Sequence, residues 1–123
     1  MSILNPKMAA TASPTAVDIG VLAGFLLGEG TFRRKHSHEH GIGTERISAP
    51  QGEQEPLLRL KKFFGGTVRL QQNGRPRVKP TWRTANGIYI WEVYGPRARG
   101  VMMTVYKFMS PQRKQEIKTA LRL

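Results

Sequence analysis

Glycine recurs at every fourth residue through Gly20, Gly24 and Gly28, inside a segment that otherwise reads as a helix. Each glycine costs a helix interior about 1 kcal/mol relative to alanine, so three in one segment require compensation. Residues four apart share a helix face, and a face without side chains lets a second backbone approach closely. Gly20, Ala23, Gly24 and Leu27 are thus the expected surface for a helix-to-helix seam; a core helix merely loosened by glycine is the competing account. Thr15 followed by Asp18 supplies an N-cap with an acid in the first turn, and the helix should run to about Gly28.

Beyond that helix the pattern alternates. Thr31 to Lys35 and Arg46 to Ala49 read as paired strands, with Pro50 stopping the second and a His- and Gly-rich loop between them. Pro56 suits the first turn of a second helix with Leu57, Leu60 and Phe64 on one face and Gly65-Gly66 past its end. Thr67 to Gln72 and Ile88 to Tyr94 form a second strand pair, joined by a Pro-, Arg- and Lys-rich connection. Gly95-Pro96 opens a helix striped by Val101, Val105 and Phe108, and Ser110-Pro111 caps a last one burying Ile117, Ala120 and Leu121. The order αββαββα, with a further C-terminal helix, defines an α+β fold. One domain over 15–123, after a loose extension over 1–14, fits 123 residues.

Twenty Lys and Arg against eight Asp and Glu leave a net charge of +12, spread from Arg33 to Arg122. Such a surface attracts nucleic acid, anionic lipid or acidic protein by the same Coulomb force, and a ribosomal-type RNA binder is as compatible with it as a DNA binder. Absence of cysteine excludes disulfides and thiol chemistry and fits an intracellular protein. The longest apolar run, Ile19 to Leu27, is about half of the ~20 residues a membrane span needs, and Pro14 and Asp18 interrupt any signal-like segment. No membrane partner and no small-molecule cofactor are expected.

Glu29 stands between Gly28 and Gly30 at the end of the glycine-notched helix. If two such helices pack side by side, their carboxylates converge at the negative ends of two helix dipoles, and a cation relieves the repulsion. An oxygen-rich site completed by phosphates suits Mg²⁺.

Leu22-Ala23-Gly24-Phe25-Leu26-Leu27-Gly28-Glu29-Gly30 resembles the signature of the LAGLIDADG homing endonucleases. Glu55-Pro56-Leu57-Leu58 through Phe64-Gly65-Gly66, Trp91-Glu92-Val93, and Arg113-Lys114-Gln115-Glu116-Ile117 are similar to later elements of that family, so the likeness covers roughly residues 17 to 121. With one copy of the motif, the chain resembles members that act as homodimers. The resemblance implies a saddle-shaped antiparallel sheet on double-stranded DNA with helices behind it, a long pseudo-palindromic site, and metal-dependent phosphodiester hydrolysis. Mg²⁺ is the implied cofactor, with Mn²⁺ able to substitute and Ca²⁺ supporting binding without cleavage. Glu29 matches the metal-binding acid and the Gly28 carbonyl its helper ligand. Gln51 matches a residue that positions water, and Arg113 or Lys114 a basic residue near the scissile phosphate. Leu27 stands where members often carry Asp, and Glu55 where some carry a base. A catalytically silent DNA-binding regulator or RNA-splicing maturase of the same fold is the alternative.

If Phe32, Ile47, Val68 and Leu70 face the helices, alternation directs Arg33, Lys35, Arg46, Ser48, Arg69 and Gln71 toward the groove. Arg and Gln can make bidentate contacts to guanine and adenine edges; the plain alternative is a solvated sheet face. Arg75, Arg77, Lys79 and Arg83 in the long connection suit phosphates. His36, His38 and His40 alternate and are metal-ligand candidates, with DNA contact or simple exposure the alternatives. Trp82 and Trp91 are expected to be packing residues.

Overall fold

The computed structural model describes residues 9–35, 43–71 and 87–123. Helix α1 (Ala16–Glu29) leads into β1 (Thr31–Lys35) and β2 (Thr44–Gln51). Then come α2 (Glu55–Phe64), β3 (Thr67–Gln71), β4 (Ile88–Tyr94), α3 (Gly95–Val105), a 3₁₀ turn (Tyr106–Phe108) and α4 (Pro111–Leu121). The four strands form one antiparallel sheet in the order β1-β2-β4-β3. The helices pack on one side of it. The His-rich loop and the connection carrying Arg75, Arg77, Lys79, Trp82 and Arg83 lie outside the described residues.

Local chemistry accounts for the element ends. The Thr15 side chain accepts from the Asp18 amide at 3.1 Å while the Asp18 carboxylate accepts from the Thr15 amide at 2.9 Å, a reciprocal capping box. Those hydrogen bonds hold the Asp18 carboxyl below its ordinary range. Gly66 has φ +92, and a Cβ there would meet the Glu92 carbonyl at 2.5 Å, so the turn from α2 into β3 admits only glycine. Beside it the Trp91 indole donates to the Gly65 carbonyl at 2.8 Å, satisfying both buried groups.

The core lies between the helices and the inner sheet face. Leu22 and Leu26 of α1 and Leu57 and Leu60 of α2 join Ile47, Trp91 and Val93 of the sheet, with Val105, Met102 and Ile117 closing the far side. Each fully buried aliphatic side chain contributes about 1.5–3 kcal/mol.

Four expectations need correction. Strand β2 runs through Pro50 instead of stopping before it: β1 begins at Thr31 opposite Ser48, so Pro50, paired with Ile90, has a strand neighbour on one side only, the edge setting in which a proline is tolerated. Phe108 is exposed and Met109 buried, because the 3₁₀ turn breaks the helical period after Val105. Leu70 has the inward register but is 45% exposed on the edge strand β3. The extension is pinned at residues 11 and 12, whose amides donate to the Lys62 carbonyl, one of the carbonyls orphaned at the end of α2.

Candidate functional site

Helix α1 is apolar on two sides. Leu22, Ala23 and Leu26 are buried in the core, while Val17, Val21 and Leu27 are 75%, 52% and 37% exposed on the opposite side. Gly24 and Gly28 lie exposed among them. A Cβ built at Gly20, Gly24 or Gly28 meets nothing within 4 Å. The chain's own packing therefore does not require these glycines. A helix that is hydrophobic all round is ordinarily covered all round. Of the expected seam residues, Gly20, Gly24 and Leu27 share this open face, but Ala23 does not. It is 0% exposed in the core, because one residue along a helix turns about 100°. Val17 and Val21 take its place; the i, i+3, i+4 series from Val17 through Gly28 was visible in the sequence.

Glu29 is the last residue of α1 and is exposed. Around it the terminal carbonyls divide their duties. The Leu26 carbonyl accepts from the Gly30 amide at 2.8 Å, and that of Leu27 accepts from Arg113 Nε at 3.2 Å. The Gly28 carbonyl has no helical residue four positions on to serve. Helix α1 has no basic residue in its own last turn, so Arg113 of α4 supplies the cation that its dipole favours there. Arg113 is held from its other side by Glu116, through Nη1 at 3.1 and 3.3 Å to the two carboxylate oxygens. Its neighbour Lys114 turns away, with Nζ 5.4 Å from the centre of the Tyr106 ring. Glu116 carried no signal in the sequence beyond its i+3 spacing from Arg113.

Gln51 ends β2 with its side-chain oxygen accepting from the Gly52 amide at 2.8 Å. Among the described residues no hydrogen bond joins it to Glu29 or Arg113. Glu55 pairs with Arg59 on α2 at 2.9 Å. No three His, Asp or Glu side chains among the described residues gather into a metal-binding cluster. The Glu29 carboxylate and the adjacent Gly28 carbonyl are a donor set that fits a hard cation keeping its waters and completed by phosphate oxygens.

The outer face of the sheet matches the expected alternation. Arg33 lies opposite Arg46, which in turn lies opposite Tyr94; Thr31, Ser48, Glu92 and Thr67 make the next row; Arg69 pairs with Ile90 and Gln71 with Ile88. Arg33, Lys35 and Arg69 are exposed. Arg34 points inward, donating to Glu45 at 3.0 Å and to the Ala120 carbonyl at 2.9 Å, which ties α4 to the edge strand. Burial works to raise the Glu45 carboxyl, but its backbone hydrogen bond and the charges of Arg34 and Arg99 hold it below the usual range. The residue that sequence reasoning missed is Glu92, almost fully buried on this outer face beneath Arg46, Arg69 and Tyr94.

No protein-family model matches the sequence, and no curated protein matches it. Solved structures do match the backbone. The homing endonuclease I-CvuI, in complex with its target in the presence of 2 mM Ca, superposes with a TM-score of 0.61 at 19% identity, over 81% of this chain and 61% of that one. The archaeal intron-encoded homing endonuclease I-Vdi141I, complexed with DNA, gives 0.60 at 18% identity over 84% and 64%. The group I intron-encoded homing endonuclease I-CeuI, also complexed with DNA, gives 0.55 at 17% over 86% and 53%. I-CvuI has also been solved on the I-CreI target with 2 mM Mg, the DNA not cleaved. The chain spans about three-fifths of the length of the structures it matches. Its α+β fold, with a four-stranded antiparallel sheet backed by helices, is the fold of the homing endonucleases, as the nine-residue resemblance implied. Among the described residues no helix is long and apolar enough to cross a membrane.

Proposed function

We propose that this chain is a LAGLIDADG-type, site-specific endonuclease of double-stranded DNA, acting as a homodimer on a long pseudo-palindromic site. The observation that carries the reading is the uncovered, glycine-notched face of α1 ending in the exposed carboxylate of Glu29. Two copies meeting on that face bring two Glu29 side chains together over one stretch of backbone phosphate, and twofold symmetry calls for a matching symmetry in the DNA.

Glu29 and the Gly28 carbonyl hold Mg²⁺ in this reading. When bound, the ion would supply Lewis-acid polarisation of the phosphodiester and would lower the pKa of a water, so that its deprotonated form is available as the nucleophile. Arg113, fixed by the Leu27 carbonyl and by Glu116, faces the charge that builds on the phosphate during attack; Lys114, drawn to Tyr106, is the weaker candidate. Gln51 keeps its side-chain NH₂ for orienting water. Arg33, Lys35, Arg46, Ser48, Arg69 and Gln71 face the groove, and the outer sheet face that they share supports that role.

One observation favours a silent DNA-binding version of the same protein. Leu27 occupies the motif's first acidic position and lies on the open helix face, leaving Glu29 as the motif's only carboxylate. Incubation with a randomised duplex library in Mg²⁺, and separately in Ca²⁺, distinguishes the two. Cleavage in Mg²⁺ with binding alone in Ca²⁺ is expected, and Glu29→Gln should abolish cutting with DNA affinity nearly unchanged. Binding that never leads to cutting identifies the silent version. Preference for RNA over duplex DNA, or cutting retained by Glu29→Gln, refutes the assignment.

A further inference from the structure

One carboxylate interrupts the cationic outer face of the sheet. Glu92 sits at the middle of β4, between Ser48 of β2 and Thr67 of β3, and is 7% exposed. Its Oε1 accepts from Arg46 Nη2 at 3.4 Å and from Arg69 Nη2 at 2.7 Å, and its Oε2 accepts from the Tyr94 hydroxyl. Neither arginine is its register neighbour. Arg46 lies opposite Tyr94, two residues along β4 in one direction, and Arg69 opposite Ile90, two residues in the other. Both side chains therefore reach diagonally, across about 7–8 Å, to meet at one oxygen atom. Tyr94 braces the arrangement twice, since the Arg46 guanidinium also lies 5.7 Å from its ring centre.

Burial disfavours an ionised carboxylate, yet the Tyr94 and Arg69 hydrogen bonds and the charges of Arg69 and Arg46 outweigh it and hold Glu92 ionised below the usual range. A buried acid on a face that otherwise attracts anions needs a purpose, because it subtracts from that attraction. Long arginine side chains left unrestrained lose rotamer freedom on binding and settle readily on phosphates, which carry no sequence information. Each arginine here spends one N–H on Glu92; the Arg46 Nε is buried without a hydrogen-bond partner among the described residues, so that side chain has only its terminal nitrogens left to offer. Arg69 remains 53% exposed along its side chain.

We propose that Glu92 is a specificity-determining positioning residue, locking Arg46 and Arg69 into one guanine-reading unit on the outer sheet face. The inference rests on the DNA-binding reading above. Guanidiniums anchored to a common atom reach neighbouring base pairs, which are spaced ~3.4 Å apart, so the unit demands guanine at two adjacent base pairs of each half-site. The carboxylate also cancels one positive charge, so its loss has two effects of opposite sign: weaker discrimination and stronger non-specific binding.

The test starts from the site selected by the wild-type protein, then compares that site, its versions with each adjacent guanine replaced, and random duplex over a salt series. Glu92→Gln should lower the preference for guanine roughly tenfold while raising non-specific affinity and steepening its salt dependence. In an Arg69→Ala background, Glu92→Gln should have no further effect at the guanine which Arg69 reads. Glu92→Asp, with the charge kept and the reach shortened, should lose discrimination without gaining non-specific affinity. On the free protein, ¹⁵N relaxation of the Arg46 and Arg69 Nε–H groups should show loss of order in Glu92→Gln, a readout independent of DNA. Unchanged arginine order, unchanged discrimination in a wild type that does select a site, or a selected site without the adjacent guanines overturns the proposal. A wild type with no preference for duplex DNA overturns the underlying reading as well.

Discussion

Replacing Gly24 with glutamine sets two consequences against each other. Gly24 lies in the interior of a 14-residue helix, is exposed, and has nothing within 4 Å of where a Cβ would stand. Within a single chain the substitution should thus stabilise: glutamine exceeds glycine in helix propensity by about 0.5–0.8 kcal/mol. For a domain of this size that raises Tm by roughly 2–5 °C. At a seam between two α1 helices the effect reverses. A long side chain inserted where backbones meet costs about 1–3 kcal/mol, and the dyad imposes it twice, so the dimer should weaken by about 2–6 kcal/mol. That corresponds to roughly one and a half to four orders of magnitude in dissociation constant. Sedimentation over a concentration series gives the dimer affinity, and melts at a concentration where wild type is monomeric give the other sign. Glutamine leaves the net charge unchanged and adds no apolar surface, so aggregation does not imitate either result. Undiminished dimerisation of Gly24→Gln would show that the glycine face is not the seam. A lower monomer Tm would show that the chain itself needs the glycine.

Arg113→Ala should remove the cation from the end of α1, costing about 0.3–1 kcal/mol of stability and most of any nuclease activity. Lys114→Ala should leave cleavage much closer to wild type; equal losses in the two variants would undo the distinction drawn from their contacts. Trp91→Phe strands the buried Gly65 carbonyl and opens a cavity, so unfolding in denaturant should show a loss of about 2–4 kcal/mol. A loss below 1 kcal/mol would contradict that accounting. In acid, Glu92 and Glu45 act in the same direction: their folded carboxyls lie below the ordinary value, so the stability they contribute is complete above that value and is lost as pH falls through the depressed one. Thermal melts between pH 6 and pH 2 should show this decline, flattened in Glu92→Gln; an identical decline in the variant would mean that Glu92 is not a source of it.

Much of this architecture could be read before any coordinates, and the reason is local chemistry. The Thr15-Asp18 capping box, the Gly65-Gly66 exit from α2 and the Ser110-Pro111 entry to α4 are each set by a few neighbouring residues. The outward set on the sheet was legible for a similar reason, since a period of two leaves no freedom once Phe32 and Ile47 are inside. What stayed hidden depends on residues far apart in the chain. Strand β2 could pass through Pro50 because β1 begins at its Ser48 pairing and leaves the rest of β2 without a neighbour on that side, which is a fact of sheet order. Ala23 was misplaced because small size suggests a seam equally well on either side of a helix, and only the position of the core decides.

Glu92 shows the same limit in its sharpest form. On its own strand it is one acid among aromatic and β-branched residues, and its hydrogen-bonding arginines lie 46 and 23 positions away. The antiparallel registers of β2 and β3 on β4 bring those three together, so the charge pattern of the outer face is a product of topology. A composition of +12 describes what this face attracts from a distance. How firmly its two central arginines are aimed depends on a single negative charge that the total conceals.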